Sequence, residues 1–209
     1  MSKNEKAFAD LRRCRRMAQV RAVQQPEGSE EQLLRVAGRA IVFETETELF
    51  NLWGVSVREI IHTGSLDEAD MSDVPFKYNH SSNVMVMART RNKTVRLMVS
   101  PEGLDIEADL NPNMQCSRDM YAAIERGDID KMSFVFTSAL EEEEWRDDHT
   151  LVYHVRKIAK IWDISSVDAP AYEDTSIEAR AAGDADVARL QRSLDSVNLM
   201  RTKTQLLSY

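Results

Sequence analysis

Cysteine is almost absent from this 209-residue chain, with only Cys14 and Cys116 present. Two cysteines cannot build the disulfide framework of a small secreted domain. Neither belongs to a Cys-x-x-Cys pair that could hold zinc, and a reducing compartment of synthesis fits. Glycine is scarce at seven residues, and no glycine-rich phosphate loop occurs. That argues against a P-loop NTPase or a dinucleotide-binding enzyme. The four histidines show neither His-Glu-x-x-His nor His-x-His spacing, so no metal centre and no cofactor is expected. No apolar run approaches the length of a membrane span. The basic N-terminal stretch has no apolar segment behind it and does not read as a secretory signal. Net positive charge is lacking too: 35 acidic against 27 basic residues give −8. Such a chain is repelled by a phosphate backbone. Its one basic cluster, Arg12, Arg13, Arg15 and Arg16, has no interleaved aromatics and reads as a solvated helix face. Nucleic acid is not an expected partner.

What is present is a soluble globular mixture, 43% hydrophobic and 30% charged. Three parts are expected. Residues 1–32 are polar and helix-prone or flexible, and end in a linker around Pro26, Gly28 and Ser29. Residues 33–180 carry nearly all the strand signals. Residues 181–209 form a helical tail, with Val187, Leu190, Leu194 and Val197 at helical spacing. In the middle part, LLRVAGRAIVFE, GVSVREIIH, VPFKYNH, VMVMARTR and KMSFVFTSAL read as strands. LVYHVRKIAKIWDISSVDA reads as one long strand or two joined by a bend. TVRLMVSPEGLDIEADL reads as a hairpin turning at PEG. CSRDMYAAIERG reads as a helix with Met120, Ala123 and Ile124 on one face and Gly127 as its stop. Ser65 and Glu68 have the spacing of a helix capping box, and the acidic run Glu141–Glu144 reads as a solvated loop or strand end. The predicted fold is mainly β with peripheral helices, its antiparallel core a barrel or closed sheet.

Four histidines make the search for a general base short. His62 ends a strand, His149 lies in a charged segment and His154 alternates along a sheet face. His80, after Asn79 and before the turn-forming Ser-Ser-Asn, can reach a cleft or can be an ordinary strand-end residue. Ser133 is a small polar residue inside the apolar strand Met132–Phe136. Alternation places it with Val135, opposite Met132, Phe134 and Phe136. It is either a strand serine satisfied by the backbone or a nucleophile paired with a histidine. An imidazole in that role needs an acid to orient it. Asp163, between Trp162 and Ile164, and Asp168 are the acids near the last strand.

The ordered set of segments carries more than any one of them. It runs GRAIVFE, EIIHTGSLDEA, KYNHSSNVMVMARTRNKTVRLMVSPEGLDIEADLNP, MYAAIERGDIDKMSFVF and IWDISSVDAPAYEDTSIEAR. Over roughly Val36 to Arg180 this resembles the caudoviral prohead protease family, relatives of the herpesvirus assembly protease. The resemblance implies a closed antiparallel β-barrel ringed by helices and a serine endopeptidase. Carried over by position, His80 is the general base, Ser133 the nucleophile, and Asp163, two residues before Ser165, the third member, with Asp168 in reserve. Lys131 and Val135 stand where the family commonly has glycine, and Ser81 where it often has aspartate. The implied substrates are the scaffolding protein, the major capsid protein and the protease itself, with self-association left open. The implied place is the immature capsid in the host cytoplasm. The rival is a non-catalytic assembly or scaffolding factor on the same fold.

Overall fold

The computed structural model describes residues 12–23, 34–147, 149–168 and 184–207. The expected linker at Pro26–Ser29, both expected domain boundaries and the Pro170-Ala171 pair lie outside these residues. Ten strands and two helices are described. The strands are β1 (Arg12–Ala22), β2 (Leu34–Val42), β3 (Glu46–Leu52), β4 (Val55–Ile61) and β5 (Pro75–Tyr78). They continue as β6 (Ala88–Arg89), β7 (Val95–Ser100), β8 (Gly103–Leu110), β9 (Lys131–Asp147) and β10 (Thr150–Val167). The helices are α1 (Gln115–Arg126) and α2 (Asp184–Leu207).

The chain is mainly β, and its sheet is not closed into a barrel. The strand path β3-β4-β10-β9-β1-β2-β8-β7 is open, with β5 and β6 branching from β10. The expected closed antiparallel barrel is therefore corrected. The cause lies in β9 and β10, of 17 and 18 residues. Each serves different neighbours at its two ends. Thr150–Val155 of β10 pairs parallel to β4, and Ile164–Ser166 near its other end pairs parallel to β5. The sheet fans into two arms instead of returning to its first strand.

The basic N-terminal segment is likewise not a helix. Residues Arg12–Ala22 pair antiparallel with β9 on one side and with β2 on the other. Two flanking strands with free backbone groups outweigh the helix propensity of arginine and alanine, which is high in rank but small in energy. The Ser65–Glu68 segment forms successive turns instead of a capped helix. The amides of Ser65, Asp67 and Ala69 each bond the carbonyl three residues back, and Gly64, within the first of these turns, sits at φ 83°. Of the two expectations for the acidic run, the strand end holds and the loop does not: Glu141–Glu144 lies in the second half of β9, with Glu142–Glu144 exposed. Glu141 and Glu143 meet α2, where Arg189 pairs with both and Ser193 donates to Glu143 at 2.7 Å. Glu142 and Glu144 meet Arg156 at 2.9 Å and His154 at 3.0 Å. His154 in turn bonds His62, which bonds Glu44, each at 2.9 Å. These two histidines tie strands together at the arm of the sheet far from residue 163.

The hairpin β7–β8 and helix α1 form where their local patterns place them. Met120 and Ile124 are buried, and Gly127, at φ 87°, caps α1 through its amide to Ile124 at 3.1 Å. The main core gathers Met132, Phe134 and Phe136 of β9 with Phe76, Ile161, Ile164, Ile41 and Leu104. A smaller core under α2 holds Phe50, Val57, Leu151, Tyr153 and Leu190. Gly38 joins the main core to β1. A Cβ there would lie 2.1 Å from the Gln19 carbonyl oxygen and 2.8 Å from Met132 Sδ. Gly38→Ala is expected to destabilise the fold by about 2–3 kcal/mol through overpacking, read as a lowered urea midpoint. An unchanged midpoint would show that β1 yields without cost.

Candidate active site

The site is built where β5, β9 and β10 lie side by side. β5 is short and anchored by wholly buried Phe76, which pairs with Ile164; Lys77 and Tyr78 pair with Ser165 and Ser166. The chain then reverses at Tyr78–Ser81, closed by the Ser81 amide on the Tyr78 carbonyl at 3.0 Å. Both central residues have positive φ, Asn79 at 50° and His80 at 53°. Asparagine and histidine are among the few non-glycine residues enriched in that region. Asn79 also holds the turn to the sheet. Its amide bonds the Ser166 carbonyl at 2.9 Å, and its Oδ1 accepts from the Asp168 amide at 3.3 Å. This is the physical content of the Asn-His pair: asparagine fastens the turn that aims His80 over β10.

The pleat does the rest. Ser133 faces Ser165 across the β9–β10 pair, and Val135 faces Asp163, so these four residues share one face. A bulge makes this possible. Ile161 pairs with Phe136 and Asp163 with Val135, leaving Trp162 as the extra residue. Ile161 and Ile164, three residues apart, thereby both reach the phenylalanine face, while Asp163 and Ser165 turn to the other. No residue from Lys131 to Phe136 has a positive φ. The positions of Lys131 and Val135 therefore make no conformational demand for the glycine usual in the resembling family.

The structure brings His80, Ser133 and Asp163 together. His80 Nε2 lies 2.7 Å from Ser133 Oγ, and His80 Nδ1 hydrogen-bonds Asp163 Oδ1. Ser133 is wholly buried and the imidazole nearly so. Burial pushes the Asp163 carboxyl up, but the hydrogen bond and charge of His80, the Lys77 ammonium and Ser165 outweigh it. The carboxyl is held below its ordinary range and accepts only. Nδ1 therefore carries a proton whether or not the ring is charged, and in the neutral ring Nε2 presents its lone pair to the Ser133 hydroxyl. The arrangement can withdraw the serine proton and hold the resulting imidazolium against a carboxylate.

Asp168 is placed elsewhere. It accepts from the Tyr78 hydroxyl at 2.7 Å. His149 is exposed at the β9–β10 turn, and His62 and His154 pair with each other. Reading from the sequence missed two neighbours of the site. Lys77 Nζ lies 3.6 Å from Asp163 Oδ2. Ser165 contacts both His80 and Asp163. Its place two residues after Asp163 in an alternating strand was the available signal. Among the described residues, no group of three or more His, Cys, Asp or Glu side chains is arranged to hold a metal ion. No described helix is long and apolar enough to cross a membrane.

A serine, a histidine and a buried carboxylate hydrogen-bonded in series form the arrangement that serine hydrolases use. The model of the caudovirus prohead serine protease family matches residues 18–189, a span that contains all three. The chain belongs to that family. No curated protein and no solved structure matches it. Membership implies a role in capsid maturation, capsid-related substrates and a place of action within the procapsid.

Proposed function

We propose that the chain is a serine endopeptidase that cleaves scaffolding and capsid proteins, and its own chain, within the immature capsid. The observation that carries this reading is the bond from the Ser133 hydroxyl to His80 Nε2, backed by Asp163, inside the family-matched span. In the first step His80 Nε2 takes the Ser133 proton while Oγ bonds the scissile carbonyl carbon. The tetrahedral oxyanion collapses as imidazolium gives its proton to the leaving nitrogen, and the C–N bond breaks. Water, deprotonated by the same imidazole, then attacks the acyl carbon. The ester bond breaks, the carboxylic product leaves and the proton returns to Ser133. Asp163 keeps the ring in the required tautomer and offsets the imidazolium charge.

Residues 1–11 and 181–209 are proposed as segments that meet the scaffold and are open to trimming, whereas Arg12–Ala22 is β1 of the main sheet and is not part of such a segment. Unchanged encapsidation after deletion beyond Ala181 would count against this for the C-terminal part.

The test of the main reading is co-expression with the cognate capsid and scaffolding proteins, the wild type against Ser133→Ala. Shortened products are expected with the wild type alone. The same products with both, or none with either, would move the non-catalytic assembly role on this fold to the front.

A further inference from the structure

Ser165 has no role in the steps above, yet it is wholly buried and both its hydrogen bonds go to the site. We propose that Ser165 is a positioning residue whose hydroxyl closes a hydrogen-bonded ring that fixes the His80 imidazole on Asp163. This rests on the reading of Ser133, His80 and Asp163 as the active site.

The polarity of the ring is forced. The His80 main-chain amide can only donate, and it lies 3.1 Å from Ser165 Oγ. Asp163, held ionised, can only accept, and its Oδ1 lies 3.3 Å from the same oxygen. A hydroxyl has one proton. Ser165 therefore accepts from the amide and donates to Oδ1, which also accepts His80 Nδ1–H. The main chain and the ring of one residue are thus fastened to one carboxylate oxygen, which fixes both side-chain torsions of His80. Lys77, on Oδ2, opposes rotation of the carboxylate.

The ring also answers a local cost. His80 sits at φ 53°, a region L-residues occupy only where their surroundings hold them. Without Ser165 its amide would be a buried donor lacking that partner. Ser166 gives the contrast. It is equally buried on the opposite side of the strand, and its hydroxyl has no hydrogen-bond partner among the described residues.

The test is the rate constant for phosphonylation of Ser133 by a small fluorophosphonate, measured against pH on the full chain. Wild type, Ser165→Ala, Ser165→Cys and Ser166→Ala are compared, each with its unfolding midpoint. Loss of the ring is expected to slow labelling about 10- to 100-fold in both Ser165 variants, the scale of a small misplacement of a reacting group. Ser166→Ala is expected to label like the wild type. With one donor to Asp163 gone, the acidic fall-off of the rate is expected to move to higher pH, a change that packing alone does not produce. Ser165→Cys is nearly isosteric and decides the matter if the alanine variant unfolds. Labelling of the folded Ser165 variants at the wild-type rate and with the wild-type pH profile overturns the proposal. A wild type that is unlabelled, or labelled equally after Ser133→Ala, removes the site reading itself and this proposal with it.

Discussion

Replacing His80 by alanine is expected to lower the Ser133-dependent cleavage rate roughly 10⁶-fold, as much as Ser133→Ala does. The Ser133 hydroxyl is a weak nucleophile, and the base placed to take its proton is His80 Nε2, 2.7 Å away. Residues that act as one unit do not contribute additively. The double variant His80→Ala/Ser133→Ala is therefore expected to match either single one within a few-fold. Asp163 would lose its main hydrogen-bond donor in the alanine variant, and a buried carboxylate without that partner weakens the fold. His80→Gln retains hydrogen-bonding capacity without supplying the base, so it separates lost chemistry from lost structure. The measurement is single-turnover cleavage of the cognate scaffolding protein, with far-UV circular dichroism of each variant. A folded His80→Gln protein retaining more than about a tenth of the rate would remove His80 from the reaction.

Asp163→Asn is expected to cost about 10⁴-fold in cleavage rate, and Asp168→Asn less than about tenfold. An asparagine at 163 can present its amide N–H to Nδ1, which favours the tautomer with its proton on Nε2 and leaves Ser133 facing a donor. Asp168 bonds the Tyr78 hydroxyl and supports the turn from outside. Loss of cleavage only in the Asp168 variant would make Asp168 the orienting acid.

The same substitution has a stability signature. Asp163 is held below its ordinary value of 3.8, with burial opposing the shift and His80, Lys77 and Ser165 causing it. A carboxyl depressed in the folded state binds fewer protons there than in the unfolded chain. Its contribution to stability is present above about 3.8 and is lost as pH falls from there through the lower folded value. The urea midpoint of the wild type is expected to fall more steeply below pH 4 than that of Asp163→Asn. Parallel pH dependences would show that this carboxyl is not held ionised in the folded protein.

Several pieces of the fold were legible because their signals are local. The alternation in Val95–Leu110 around Pro-Glu-Gly defines β7–β8, and Gly127 after a helical stripe ends α1. Met132–Phe136 alternates so that Ser133 stands apart from its apolar neighbours, and the Asn-His pair marks a turn that only a few residue types tolerate. Other readings failed or stayed open because the deciding partner is remote in the chain. Arg12–Ala22 is a strand because β9 and β2 flank it, and the choice between loop and strand end for Glu141–Glu144 fell to the strand because β10 and Arg189 receive its side chains. The open course of the sheet depends on which strands the two long ones meet at each end, and no residue encodes that alone.

The sequence by itself determined which residue types were available for the chemistry and in what order they occur: one histidine at a tight turn, one serine in an apolar strand, and two acids at the end of the last strand, Asp163 within it and Asp168 just beyond. The tertiary structure places Asp163 against His80 and Asp168 against Tyr78, and it adds neighbours that sequence order does not reveal. A bulge at Trp162 turns Asp163 toward His80, β5 pairs beside β10 to bring in Lys77, and Ser165 meets the His80 amide across 85 residues of chain. Alternation along a strand follows from covalent geometry and is visible in any short window. Register, bulges and strand neighbours follow from packing against distant segments and exist only in the folded molecule.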